Sequence, residues 1–391
     1  MLDSSLSHSA RTLVGATRPR PAHAFAGATV LLVLAAAAHS QGLQVEASNT
    51  GAEAERPQGI CIAETLVELG QAITRLSRLD PAADITCTVA GATRYAADPP
   101  LEQPQSLLFD KQTSGQGVFG APDTPLIIAM EFVSRQRIQC IQLLYAGQWA
   151  APGLPAVRVE VTEDGTEARL VGTMPAMSAE PAARPIIQQV NFPDGNGNRD
   201  GQWRRVRLSI PGLPPELGLV EIRVIGYDEG LRGIGTGLNQ IARDPAAISV
   251  GNISNIAVAV RSRRLSASKS IEQHEAVHRL SRVISLLSGV YFELLIDTPA
   301  QGEQPAEGRL RIDNASNKPL DASIIKLRLP PGWRAAPAKH DLSPVAAGQC
   351  IFLPTSIYPA NTEELPTVCL YGGYDGEPLF LMADTVGVFA R

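Results

Sequence analysis

Short aliphatic runs with period-two alternation, each closed by turn residues, constrain this chain more than any other feature. In Ala156–Thr162, Val157, Val159 and Val161 alternate with Arg158 and Glu160, and Asp164-Gly165 then turns the chain. Such alternation places one side of a strand in a core and the other in water. Pro125–Phe132, Ile138–Tyr145, Trp203–Ile210, Leu219–Gly226 and Ile253–Val260 read as further strands, with loops at 194–200 and 211–215. Glycine (34) and proline (30) are spread along the chain, so turns recur between short strands.

Two segments carry helical spacing instead. Ile62, Leu66, Leu69, Ile73 and Leu76 line one face of a helix over 62–79, stopped by Asp80-Pro81. Over 270–287, Val277, Leu280, Ile284 and Leu287 form a stripe, Ser270 and Gln273 are spaced as a capping box, and Gly289 ends the helix. Both stripes have steps of three and four, so the two helices are expected to pack together. Beyond them strands return at Val290–Ile296, Arg309–Asn314, Ile324–Leu329, Cys350–Ile357, Val368–Tyr371 and Pro378–Met382. Strands without alternating helices predict sandwiches rather than a parallel sheet, and the class is mainly β.

The N-terminus reads as an export signal. Arg11, Arg18 and Arg20 precede an uncharged stretch from Ala24 to Ala38. That run, about fifteen residues, fits a signal core and falls short of the ~20 that span a bilayer. Small residues place cleavage after Ala38 or Ser40, with an uncleaved anchor as the alternative. A secreted, periplasmic or cell-envelope location in a bacterium follows, with no membrane span in the mature chain. The net charge of −5, without a basic stripe, excludes a dedicated nucleic-acid binder. An oxidising destination favours disulfides, and the economical pairing joins Cys61 to Cys87 and Cys350 to Cys369, leaving Cys140 buried and free.

Three stretches could carry chemistry. His274-Glu275-Ala276-Val277-His278 has the spacing that lets two imidazoles hold zinc while a glutamate polarises water. Both histidines fall off the apolar stripe and no third ligand is evident, so the competing reading is a solvated linker helix. Asp194, Asn196, Asn198 and Asp200 present oxygens at every second residue, as a calcium loop does, or as a plain tight loop does. Gly230–Gly237 is glycine-rich, yet it lacks the Lys-Ser/Thr of a phosphate loop and does not open a clear helix.

Residues 105–264 resemble the galactose-binding-like, discoidin-type jelly-roll family. The resemblance is carried by Leu107-Leu108-Phe109-Asp110 before a loop, by Leu126–Phe132 and Ile138–Tyr145, and by Val157–Gly165 and Ser254–Val260. The family's early Trp is replaced by Val118-Phe119, and its calcium-binding acid in the last strand is missing between Asn252 and Val260. Residues 290–391 resemble the immunoglobulin-like module found beside carbohydrate-binding domains of bacterial secreted glycosidases, through Leu310–Leu320 and Leu327–Trp333. The resulting map is signal peptide 1–40, linker and helical segment 41–104, jelly roll 105–264, linker helix 265–289 and immunoglobulin-like sandwich 290–391. The resemblances imply a non-catalytic protein that binds glycan or a cell-surface polymer. The alternatives are a zinc metallopeptidase using His274, Glu275 and His278, and a structural envelope scaffold. If Pro125–Phe132 and Ile138–Tyr145 pair as a hairpin, the loops at 110–122 and 147–153 share one end. There Trp149 offers a plate for a sugar ring, and Asp110, Lys111 and Gln112 offer hydrogen bonds. The competing reading packs Trp149 under its own proline-rich loop.

Overall fold

A computed structural model describes residues 62–96, 107–110, 117–147, 153–162, 167–178, 186–192, 202–300, 304–360 and 367–383. Among these are four long helices, α1 (Ile62–Leu76), α2 (Glu229–Ile241), α3 (Val250–Arg261) and α4 (Ala267–Ser288). None is long and apolar enough to cross a membrane. The expected signal segment, Cys61, Lys111, Gln112, Trp149 and the 194–200 loop lie outside the described residues.

The first β-domain is built from β1 (Ile85–Ala90), β2 (Arg94–Ala96), β3 (Gly117–Phe119), β4 (Leu126–Gly147), β5 (Val157–Thr162), β6 (Arg169–Met174), β7 (Ile186–Asn191), β8 (Gln202–Ile210) and β9 (Leu217–Tyr227). Its organiser is β4, which is not the expected hairpin. The first half of β4 lies between β1 and β8, and the second half lies between β7 and β9. Between Glu131 and Gln136 the strand advances five residues while β8 moves only from Arg205 to Trp203. The surplus residues turn the chain from one layer to the other, as bulged corner strands do. The layers are thus β1-β4-β8-β5-β6 and β7-β4-β9-β3-β2, all antiparallel. Alternation fills the space between them: Val157, Val159 and Val161 point inward from β5, and Val206, Leu208 and Ile210 from β8.

Ile253–Val260 is a helix, not a strand. Ile253, Ser254, Ala257 and Val260 are its buried positions, at helical steps, and Ser249 caps it by accepting from the Asn252 N–H at 3.2 Å. The glycine-rich 230–237 segment is likewise helical, inside α2, where Asp228 accepts from the Leu231 N–H at 3.0 Å. The capping box at Ser270 and Gln273 does not form. Instead α4 starts a turn earlier, at Ala267, and Gln273 donates to the carbonyls of Val260 and Arg263. Gly289 ends α4 as expected, in the left-handed region at φ 71°.

The second β-domain comprises β10 (Val290–Thr298), β11 (Ala306–Asn314), β12 (Ser323–Arg328), β13 (Arg334–Ala336), β14 (Lys339–Leu342), β15 (Cys350–Tyr358), β16 (Thr367–Tyr374) and β17 (Glu377–Ala383). They form two four-stranded sheets, β10-β11-β15-β13 and β14-β12-β16-β17. The helices share this domain's hydrophobic core. β17 is an edge strand whose outer N–H groups need partners. Buried Ser254 of α3 accepts from the Phe380 N–H at 3.1 Å, and buried Ser281 of α4 accepts from the Met382 N–H at 2.8 Å.

Because α1 packs with α2 and α4, the chain enters the helical body before the jelly roll and returns to it afterwards. The strands from Ile85 to Tyr227 are therefore an insertion, and the expected borders at 105 and 264 shift to these positions. The two crossings run side by side: the Asp228 N–H donates to the Ser77 carbonyl at 2.8 Å and the Leu79 N–H to the Gly226 carbonyl at 3.1 Å. Lys269 of α4 braces this neck, 2.5 Å from the Asp84 carboxylate and bonded to the Arg78 carbonyl.

Candidate functional site

The bend in β4 decides what one end of the inserted domain contains. Leu126 pairs with Ile210 and Gly147 pairs with Leu217, so both ends of β4 flank the 211–216 connection. The 120–125 segment joins them, since the Leu213 N–H donates to the Ala121 carbonyl at 3.2 Å. Thr93, from the β1–β2 turn, binds the Phe119 and Gly120 carbonyls through its hydroxyl at 3.2 and 3.1 Å. The Gly147 end of β4 and the 120–125 segment thus share an end, for a different reason than a hairpin.

A buried polar network stiffens this end. The Tyr145 hydroxyl donates to Gln188 Oε1 at 2.9 Å, and Gln188 Nε2 donates to the carbonyls of Pro155 and Pro175, each at 2.9 Å. Tyr145 and Gln188 are both buried, and burial pushes the Tyr145 phenol well above its ordinary range, so it stays a donor. Leu154 and Met177 exchange two backbone bonds of 3.0 Å beside it. One glutamine therefore fixes where the chain re-enters β5 after the Trp149 segment and where it leaves β6. The sequence reading missed this pair: Tyr145 sits at the end of an apolar run and Gln188 in a segment not read as a strand, so neither carried a local signal.

Of the expected ligand residues, only Asp110 is among the described ones. It is half-buried and follows Leu107, Leu108 and Phe109, which are buried. The chain then enters β3 at Gly117, beside Val220 and away from the Phe119 end that carries 120–125.

The other expected chemistry separates differently. On α4, His274 and His278 do share a face, with ring centroids 6.5 Å apart, while Glu275 is exposed. Among the described residues no group of three His, Cys, Asp or Glu side chains is placed to hold a metal ion. The expected disulfides do not form. Cys87, Cys140, Cys350 and Cys369 are free, and Cys350 lies exposed on β15 while Cys369 is buried on β16, a strand of the other sheet. Burial pushes the Cys87 thiol up to about 12 and the Cys369 thiol up to about 11.

Elsewhere, α2 floors a shallow cavity of about 290 Å³ with Gly233 and Gly237. Its wall holds Arg232, whose guanidinium carbon sits 4.3 Å from the Tyr227 ring centroid, and Glu229, which binds Arg137 at 3.0 Å.

The inserted domain is a jelly-roll sandwich. No family model matches the chain, and no curated protein matches it. Solved structures do show similarity. The C-terminal domain of a chitobiase from Bacteroides fragilis is 19% identical, covering 39% of this chain and 99% of that one, with a TM-score of 0.26. A carbohydrate-binding module from a family 31 glycoside hydrolase of Clostridium perfringens is 13% identical over 38% of this chain and 97% of that one, at a TM-score of 0.27. A fucose binding module from Streptococcus pneumoniae is 10% identical over 38% of this chain and 95% of that one, also at 0.27.

Proposed function

We propose that this is an exported, non-catalytic glycan-binding protein whose jelly roll takes sugar at the end formed by 120–125, 148–153 and 211–216. The observation that carries the reading is the pairing of Leu126 with Ile210 and of Gly147 with Leu217, which brings the start of β4, its Gly147 end and the 211–216 connection to one edge. Loops held on such an edge are where sandwich proteins place binding residues. Trp149 supplies the apolar plate against which a sugar ring stacks. The Tyr145–Gln188 network holds the frame so that little ordering is left to the ligand. The helical body and the second sandwich carry the jelly roll through the double neck. A glycan array of the mature protein tests this: binding to a defined sugar class that disappears in Trp149→Ala supports it, and a blank array or unaltered binding argues against it.

A further inference from the structure

A cluster of cations without ion pairs among the described residues lies far from that end, where α3 meets the second sandwich. Arg261, in the last turn of α3, donates through Nη1 to the Tyr371 hydroxyl at 2.9 Å. Lys326 sits over the same ring, with Nζ 5.7 Å from its centroid. Arg328, two residues along β12, emerges on the same side as Lys326. Lys326 and Arg328 pair with Cys369 and Thr367 of β16, the strand that carries Tyr371. Burial raises the Cys369 thiol, and Arg261 and Arg328 both pull against that rise, so their charges converge on one spot.

The contrast with the other arginines matters. Arg309 is held by Asp297, Arg311 by Glu293 and Asp313, and Arg279 by Glu68. Among the described residues, Arg261, Lys326 and Arg328 form no ion pair, and the acid on the neighbouring strand, Asp341, is engaged by Lys339 at 2.8 Å. The C-terminus of α3 contributes roughly half a negative charge beside Arg261, less than the three positive charges of Arg261, Lys326 and Arg328. Lys326 and Arg328 are exposed, and Arg261 is half-buried with its guanidinium anchored by the phenol. Like charges gathered at one spot repel one another and gain from an anion that bridges them.

We propose that this seam binds an acidic polysaccharide, engaging its carboxylate or sulfate groups through Arg261, Lys326 and Arg328. The choice of a sugar polymer rests on the glycan reading above, and the size of the cluster supports it. Three cations around one tyrosine match one or two acidic groups on a chain of rings. They do not form the long basic stripe that nucleic acid requires, and the net charge of −5 disfavours dense polyanions elsewhere on the protein. The jelly-roll end and the seam then hold one polymer, or two, at separate places.

The test is affinity electrophoresis of the mature protein through gels containing polygalacturonate, dextran sulfate or neutral dextran. Wild type is expected to be retarded by at least one acidic polymer. Lys326→Gln with Arg328→Gln, both exposed positions, should weaken that retention at least tenfold. The salt dependence of binding should flatten by about two charges. Any neutral-glycan binding lost in Trp149→Ala should be unchanged in this variant, and acidic retention should survive Trp149→Ala. These results separate the two sites even if the jelly-roll reading fails. Absence of retardation in both acidic gels, or equal retardation of wild type and variant, overturns the seam. Tighter binding to phosphatidylserine vesicles or to DNA than to either acidic polymer overturns the ligand class.

Discussion

Gly235 and Gly237 stand two residues apart in α2, yet alanine should act oppositely at the two. A Cβ at Gly235 would lie 2.7 Å from the Gly70 carbonyl oxygen, 2.4 Å from Thr74 Oγ1 and 2.9 Å from the Thr74 backbone nitrogen. Two of those atoms are backbone of α1, so relief requires the helices to separate. Overpacking of this kind costs about 3 kcal/mol at the upper end of its usual range. Replacing glycine inside a helix returns about 1 kcal/mol, so Gly235→Ala should lose about 2 kcal/mol. A Cβ at Gly237 meets nothing within 4 Å, so Gly237→Ala should gain up to about 1 kcal/mol. The variants then differ by about 3 kcal/mol, or about 1.5 M in urea midpoint for a slope near 2 kcal/mol/M. Urea titration followed at 222 nm reports on this helical body. Equal midpoints for the two variants would refute the close crossing of α1 and α2.

Other consequences are as direct. Lys269→Met strands the Asp84 carboxylate, only 5% exposed, at the neck and should cost about 3 kcal/mol in a chemical melt, with Asp84→Asn restoring most of it; a loss under about 1 kcal/mol would deny the brace. Tyr145→Phe leaves Gln188 Oε1 without its donor and should cost about 1–3 kcal/mol while speeding hydrogen exchange at Leu154 and Met177; unchanged exchange there would mean the network does not hold the loop end. Brief alkylation of native protein should label Cys350 and spare Cys87, Cys140 and Cys369, since burial keeps the last three shielded and protonated; a peptide linking Cys350 to Cys369 would contradict the separation of their sheets.

What the sequence revealed depended on whether local spacing reported tertiary surroundings. Val157, Val159 and Val161 did, because β5 has one buried side, and so did the stripes of α1 and α4. Ile253–Val260 did not. Ile256, Val258 and Val260 alternate by accident, and the core takes Ile253, Ala257 and Val260 instead, with Val258 exposed. The glycines of α2 look like loop residues because their use, close approach to α1, depends on a helix more than 150 residues earlier in the chain. The two halves of β4 were legible as strands, but their partners were not. Only the register shows that the strand changes layers, and that change assembles the loop end. Cysteine spacing failed because adjacency in sequence says nothing of which sheet a strand joins.

The most direct test of the central claim is photo-cross-linking with a diazirine derivative of a sugar retained by the protein, followed by peptide mapping. The account predicts labels in 120–125, 148–153 or 211–216, abolished by excess unlabelled sugar. Competed labels confined to the helices or to the outer strands of the sandwich, with none at that end, would contradict it.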